Sequence, residues 1–319
     1  MTRILLTGAS GFVGDALHER LAKFSTYDLT LALRRPLQAL GAAVTSALIE
    51  QIDGATDWTQ SLLDCEVVIH AAARVHVMHE SSKDPLASFR KVNVEGTLNF
   101  ARQAAAKGVR RFIFISSIKV NGEETFGTPY TADSEPAPVD PYGISKLEAE
   151  QGLMRIASQT GMEVVIIRPV LVYGPGVKAN FLNMMKWLNK GVPLPFGAIN
   201  NSRSLVALDN LVDLIVTCID HPKAANQTFL VSDGDDLSTT LLLKKMAQAL
   251  NKPARLLPVP SLFLELAAFM LGKKSLSQRL CGSLQVDIAK NRELLGWKPP
   301  LSVDSALSVA ASNFLEKHT

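Results

Sequence analysis

Ile4-Leu5-Leu6-Thr7-Gly8-Ala9-Ser10-Gly11-Phe12-Val13-Gly14 decides the fold. A short apolar run ends in a glycine turn. Phe12, Val13, Leu17 and Leu21 then recur at helical spacing, so the stretch reads as strand, turn and helix. The glycines form GxxGxxG between the two elements. Glycine lets the backbone turn tightly and come close to a pyrophosphate with no Cβ in the way. The helix N-terminus behind it supplies free N–H groups and a partial positive charge. Three glycines in seven residues also occur in plain turns; their place between the first strand and the first helix is what points to a bound dinucleotide. Gly8, Ser10, Gly11, Phe12, Val13 and Gly14 are the candidate contacts.

Outward from this turn, the pattern repeats. Leu29–Leu33, Val67–Ile69, Phe112–Ile115 and Val164–Ile167 are continuous rather than alternating apolar runs, as expected of parallel strands covered on both faces. Helical stretches lie between them, from Asp84 to Lys107 and from Tyr142 to about Gln159. Residues 1–175 therefore read as a doubly wound parallel-sheet α/β domain of the Rossmann type. After Pro175 the pattern changes: a helix over Asn180–Lys190, a Pro/Gly-rich connection, a strand at Thr228–Val231 and a helix over Thr239–Leu250. Residues 176–319 are expected to form a smaller, mainly helical substrate lobe, with some segments returning to the first sheet. No internal repeat is visible.

Composition narrows the function classes. The 319 residues are 47% hydrophobic and 20% charged, with a net charge of +3 and no long basic run, so nucleic acid is not an expected partner. Cys65, Cys218 and Cys281 lie far apart and form neither a disulfide framework nor a metal site, which makes a reducing cytoplasm the expected location. The opening apolar run is too short for a secretory signal. The longest apolar stretch, Ser261–Leu271, is about half a membrane span and contains Glu265. It is expected to be an ordinary buried helix, the alternative being docking on a membrane surface.

The second strand bears on which dinucleotide is bound. An NAD site usually carries a carboxylate at this strand's end for the ribose hydroxyls. Here the strand ends Ala32-Leu33-Arg34-Arg35. Two guanidiniums suit a 2′-phosphate, which favours NADP(H) with NAD as the alternative; the plain reading is two solvated charges. Asp53, with Gly54 beside it, is a candidate adenine contact or an ordinary turn residue.

Tyr142-Gly143-Ile144-Ser145-Lys146 places Tyr142 and Lys146 one helical turn apart on one face. Ser116 and Ser117 close the preceding strand, at the edge where a parallel sheet places its ligands. A phenol with a pKa near 10 is a poor acid–base group at neutral pH. A lysine cation nearby is expected to lower that value, and a serine hydroxyl to hold the substrate oxygen in line. The alternative is a capping serine beside a surface Tyr/Lys pair. His70, ending an apolar strand, reads as a satisfied core residue, and His76 and His79 as loop residues.

TGASGFVG, the paired serines and YGISK resemble the extended short-chain dehydrogenase/reductases, and within them the NAD-dependent epimerase/dehydratase family of the UDP-glucose 4-epimerase type. The likeness runs through Tyr173-Gly174-Pro175-Gly176 to Leu295-Gly296-Trp297-Lys298-Pro299. It implies a catalytic set of Ser117, Tyr142 and Lys146, the 25-residue step from Ser117 to Tyr142 selecting Ser117 over Ser116. It places Ala72, Ala73, Asn93, Ser116 and Pro169 in the cofactor pocket, with Tyr142 and Lys146 also touching the nicotinamide end. It puts Arg74, Asn180 and Arg203 with Ser117 and Tyr142 on a nucleotide-diphosphate sugar, and it implies a homodimer through the two long helices.

Three departures refine the expectation. Ile118-Lys119 stands where dehydratases carry Asp-Glu, so water elimination is not expected. Leu171 stands where epimerases often carry asparagine, and the second strand lacks its carboxylate. Arg74-Val75-His76-Val77-Met78 and SSIKVNGE (116–123) resemble bacterial reductases of 4-keto-6-deoxy UDP-sugars of the quinovosamine type. The leading expectation is an NADP(H)-dependent 4-keto reductase acting by hydride transfer at C4. The alternatives are a nucleotide-sugar 4-epimerase with bound NAD and, remotely, a non-catalytic dinucleotide-binding protein.

Overall fold

The computed structural model describes residues 1–36, 44–75, 84–272 and 274–318. Its strands are β1 (Thr2–Thr7), β2 (Tyr27–Leu33), β3 (Val44–Leu48), β4 (Val67–His70), β5 (Arg111–Ile115), β6 (Glu163–Pro169), β7 (Leu171–Tyr173), β8 (Leu205–Ala207) and β9 (Gln227–Val231). The first helices are α1 (Phe12–Leu21), α2 (Pro85–Arg90), α3 (Thr97–Ala106), α4 (Pro141–Thr160), α5 (Ala179–Asn189) and α6 (Leu208–Asp220). They are followed by α7 (Thr239–Ala249), α8 (Ser261–Met270), α9 (Lys274–Cys281), α10 (Ala289–Leu295) and α11 (Val303–His318).

Seven strands form one sheet in the order β3-β2-β1-β4-β5-β6-β9, every neighbouring pair parallel. The order reverses direction between β1 and β4, and a doubly wound sheet opens its binding crevice at that point, outside the carboxyl ends of the strands. Both faces are covered. Leu17 and Leu21 of α1 and Leu211, Leu214 and Ile215 of α6 pack on one face. Phe100 and Ala101 of α3 and Leu153 and Ile156 of α4 pack on the other. The continuous apolar runs of β4, β5 and β6 are buried along nearly their whole length for this reason, whereas the edge strand β3, Val-Thr-Ser-Ala-Leu, buries only Val44.

β9 joins the main sheet beside β6, with Ile167 paired to Phe229. A third core forms among α5, α7 and α11 around Tyr173, Leu205 and Ala207, where β7 and β8 make a small parallel pair. The stretch 84–107 is not one helix: a π-helical segment, Lys91–Gly96, interrupts it. A Cβ at Gly96 would lie 2.8 Å from Ile52 and 3.0 Å from the Asp53 backbone nitrogen, so the absent side chain lets the 52–54 turn rest on this segment.

α8 departs from expectation. It is not buried: no residue of it falls in the core, and Leu262, Phe263, Leu266, Phe269 and Met270 are all exposed. Composition alone reads such a helix as core, but here no further element packs over its outer face among the described residues.

Candidate active site

The phosphate turn is built around close backbone contacts. Gly8 has φ +80°, and the Gly11 N–H donates to its carbonyl at 2.9 Å. A Cβ on Gly14 would stand 2.0 Å from the Gly8 oxygen, and one on Gly8 would stand 2.6 Å from the Ala72 nitrogen. The turn therefore tolerates no side chain at these two places. Gly11 is the N-cap of α1, and no side chain caps that helix, so its first N–H groups face the crevice end of β1. A cradle without Cβ atoms, backed by uncapped donors, fits a dinucleotide pyrophosphate. Ser10 and Gly11 are exposed, Phe12 and Val13 half-buried.

Arg34 and Arg35 are exposed at the end of β2, with no carboxylate beside them in the sequence. Asp53 is turned inward: its Oδ1 accepts from the Ala55 N–H at 3.0 Å and from the Thr56 hydroxyl at 3.1 Å. The Ala55 N–H holds its carboxyl below the usual range, and Lys91 stands 3.7 Å away. Its polar atoms close their own turn, and it is Gly54 that is exposed.

Asn93 is likewise occupied locally. Its Oδ1 accepts from the Arg74 N–H at 2.8 Å, and its Nδ2 donates to the Arg74 carbonyl and the Ser145 hydroxyl, each at 3.0 Å. It ties the 71–75 segment, including Ala72, Ala73 and Arg74, to the first turns of α4. The Arg74 guanidinium lies 5.7 Å from the Phe89 ring, and Phe89 meets Tyr142 edge-on at 6.0 Å. His76 and His79 lie outside the described residues.

Ser117, Tyr142 and Lys146 converge at the ends of β5 and α4. Pro141 at the first helical position and the Asp140 cap, whose Oδ1 accepts from the Gly143 N–H at 2.7 Å, start α4 at the required residue. The Ser117 hydroxyl, which accepts from the Lys119 N–H at 3.3 Å, opposes the rise of the Tyr142 pKa. Lys146 Nζ is buried, donates to the Ile115 carbonyl at 2.8 Å, and lies 4.3 Å from the Phe114 ring centre and 6.0 Å from that of Tyr142.

The electrostatics differ from expectation. Burial, reinforced by the charge of Asp140, pushes the Tyr142 phenol above its ordinary value. Burial also pulls Lys146 down to about 7, against the opposing charge of Glu150. The ammonium points at a carbonyl rather than at the phenol, so desolvation outweighs it. Tyr142 thus holds its proton, the form that can donate to a carbonyl oxygen.

Beneath this group lies a network that sequence spacing did not reveal. Arg168 donates through Nε and Nη2 to Glu150, at 3.0 and 2.6 Å, and through Nη1 to Asn121 at 3.0 Å. Ser116 donates to the same carboxylate at 2.5 Å. Ser116 is therefore turned into the protein, and Pro169 is buried at the end of β6 next to Arg168. Lys119 pairs with Glu123 and Asp140, so the position that would need a carboxylate for water elimination holds a neutralised cation. His70 is fully used in the core, bonded to Thr7 at 2.7 Å and Thr97 at 3.0 Å, and burial pulls it down to about 3.

The segment 118–124 leads from Ser117 to Arg203. Glu124 accepts from Gln278 at 2.8 Å, and the Arg203 guanidinium donates to the Gly282 carbonyl at 2.9 Å. Burial lowers the Arg203 pKa, Glu124 opposes this, and the like charge of Arg279 adds to the lowering. Two guanidiniums thus stand near each other, with the Glu123 and Glu124 carboxylates also acting on Arg203. Arg279 was not singled out in the sequence; only the contact of α9 with the strand region around Arg203 brings it in. Asn180 is exposed in the first turn of α5, whose N-cap makes no side-chain hydrogen bond.

Comparison with known proteins gives a consistent picture. Residues 4–232 match the model of the NAD dependent epimerase/dehydratase family. The chain is 50% identical over 315 residues to a UDP-glucose 4-epimerase of Vibrio cholerae, covering 98% of this chain and 95% of that one. It is 30% identical over 275 residues to the N-acetyl-alpha-D-glucosaminyl-diphospho-ditrans,octacis-undecaprenol 4-epimerase of Escherichia coli O157:H7, covering 84% and 77%. Its fold superposes on a UDP-glucuronic acid 4-epimerase of Bacillus cereus, solved with NAD, at a TM-score of 0.79 and 22% identity over the whole of both chains.

Proposed function

The chain belongs to the NAD-dependent epimerase/dehydratase family, and from that premise we propose that it is a 4-epimerase of nucleotide-diphosphate sugars. The observation that carries this reading is the 50% identity to a UDP-glucose 4-epimerase across nearly the full length of both chains. It exchanges the order of the two expectations drawn from sequence, since that relative favours epimerisation over net reduction.

In this reading, Gly8–Gly14 and the N-terminus of α1 hold the dinucleotide pyrophosphate, and the 71–75 segment tied down by Asn93 lines its far side. When bound, the dinucleotide supplies the two-electron redox chemistry at C4. Tyr142 takes the O4 proton as its phenolate while C4 is oxidised and, as the phenol, returns it on reduction, the raised pKa favouring the second half of that cycle, and the Ser117 hydroxyl holds that oxygen in line. Lys146, buried beneath the phenol, sets the local charge and reaches the nicotinamide ribose. Arg203 and Arg279 receive the diphosphate, with Asn180 and Arg74 at the borders of the pocket. The same reading carries a homodimer through α3 and α4.

A specific observation favours a second reading. Arg34 and Arg35, exposed at the end of β2 without a carboxylate, suit the 2′-phosphate of NADP(H), and a cofactor exchanged at each turnover suits a 4-keto reductase.

The test begins by identifying any dinucleotide released from the purified protein. UDP-glucose and UDP-GlcNAc are then incubated with it and followed by proton NMR together with cofactor absorbance. The expected result is conversion to the C4 epimer with no net change in cofactor. Net consumption of NADPH on a 4-keto-6-deoxy UDP-sugar, with no epimerisation, overturns the epimerase in favour of the reductase.

A further inference from the structure

α8 carries two polar residues, Ser261 and Glu265, in the sequence Ser-Leu-Phe-Leu-Glu-Leu-Ala-Ala-Phe-Met. Leu262, Phe263, Leu266, Phe269, Met270 and the following Leu271 are each 56–79% exposed. Scattered exposed leucines are ordinary, but six large apolar side chains within ten consecutive residues form a patch, and such a patch marks an interaction surface. At ten residues, about 15 Å, the helix is far too short to cross a bilayer, and no helix among the described residues is long and apolar enough to do so.

The sequence that carries it is predominantly basic. Residues 251–282 hold five basic side chains and a single acidic one, Glu265, in a chain whose total net charge is only +3. Lys252, Arg255 and Arg279 are exposed. The approach to the helix also ends in apolar and aromatic groups. Arg255 and Leu257 pair with the 191–194 backbone, which in turn holds the exposed Trp187 through the Val192 N–H, and Leu257 is itself exposed. Exposed tryptophan, apolar helix and basic flanks together are the composition of a segment that lies in the headgroup region of an anionic bilayer. A second copy of the chain would bring two basic rims together, at an electrostatic cost.

The other wall of the helix leads inward. Leu262, Leu266 and Phe269 line a cleft of about 530 Å³ whose opposite wall includes Gln278, Gly282 and Glu124. The Gly282 carbonyl is the one that holds Arg203. An apolar surface thus continues into the place that receives the diphosphate.

We propose that α8 is an interfacial anchor that seats this protein on an anionic lipid bilayer, beside the mouth of its diphosphate site. The docking half of this inference stands without the assigned reaction; the position of the site beside it rests on that reading.

The test uses the full chain in vesicle flotation, with phosphatidylcholine vesicles and with vesicles of three parts phosphatidylcholine to one part phosphatidylglycerol. The wild type is expected to float with the anionic vesicles and to be released by high salt. A Phe263→Ser/Met270→Ser variant alters the outer face seven residues apart and leaves the cleft wall intact. It is expected to partition at least roughly tenfold less, with unchanged melting temperature and unchanged turnover of a soluble UDP-sugar. Wild-type protein that stays behind, floats equally with both vesicles, or floats no better than the variant overturns the inference. So does sedimentation showing a lipid-free dimer that the variant dissociates, which would assign the face to a second copy. Loss of turnover by the wild type itself would count against the assigned reaction, not against docking.

Discussion

Replacing Lys146 by methionine should stabilise the cofactor-free protein while abolishing its chemistry. The side chain is 1% exposed, and burial takes its pKa from 10.5 down to about 7. A difference of that size corresponds to about 5 kcal/mol between the charged and neutral forms. Removing the amine leaves the buried Ile115 carbonyl without the lysine donor and the Phe114 ring without its cation, which takes back about 2 kcal/mol. Methionine fills a similar volume and carries no desolvation cost, so a net gain of about 2–3 kcal/mol is expected near pH 6. The sign of the pH dependence follows from proton binding. Between about pH 7 and pH 10.5 the unfolded chain keeps the lysine proton and the folded chain does not, so wild-type stability rises with pH across that window. The penalty is fully present below about pH 7 and fades toward pH 10.5, and the advantage of the variant should fade with it. Urea unfolding of both proteins at about pH 6, 8 and 9.5 reads this directly. A variant less stable than wild type at pH 6, or an advantage that does not shrink with rising pH, would refute the reasoning.

Three further outcomes are expected. Tyr142→Phe should lower turnover by roughly 10²–10⁴-fold while dinucleotide retention is unchanged, checked by NMR assay and by analysis of the released nucleotide. Gly14→Ala puts a Cβ 2.0 Å from the Gly8 oxygen and 2.5 Å from its carbonyl carbon, so the turn must open; the protein should lose its dinucleotide and about 1–3 kcal/mol of stability by thermal unfolding. Arg168→Met strands the Glu150 carboxylate in the core with only Ser116 as a donor, at about 3–5 kcal/mol. Adding Glu150→Gln should restore most of that loss in a double-mutant cycle, and failure to do so would mean the pair is not what Arg168 serves.

The sheet and the phosphate turn were legible because their signals are local: buried parallel strands must be apolar throughout, and a turn this tight must be glycine. Tyr142 and Lys146 were legible because one helical turn fixes their relation. The interruption of helix 84–107 was not, because it depends on Gly96 meeting Ile52 and Asp53, residues more than forty positions away. Glu150 and Arg168 lie on different elements, and only the packing of α4 on β6 makes them a pair. Asp53 and Asn93 were singled out as cofactor contacts, yet the hydrogen bonds their side chains make are to the protein's own turns. α8 misled in the opposite way, since hydrophobicity says what a segment avoids, not what covers it.

The two halves of the site are held in different ways, and this bears on what can vary. Tyr142, Ser117 and Lys146 rest on a floor in which one carboxylate accepts from Arg168 and Ser116, Arg168 reaches on to Asn121, and Asn93 fixes α4 to the 71–75 segment. Breaking any member leaves a buried polar group without its partner, so this end admits one arrangement. On the proposed reading the diphosphate end is held differently: a backbone ladder ties Ser202 and Ser204 to Leu284, and over it the Arg203 and Gln278 side chains each reach across by one hydrogen bond, to Gly282 and to Glu124. Bonds of that kind are worth about 0.5–1.5 kcal/mol each and can be exchanged one at a time. On that reading, a rigid redox end joined to an adjustable recognition end would let one catalytic set serve sugars carried on different groups. The exposed wall of α8 belongs to the adjustable end, which is why the choice of what lies beyond the diphosphate is to be sought there and not around Tyr142.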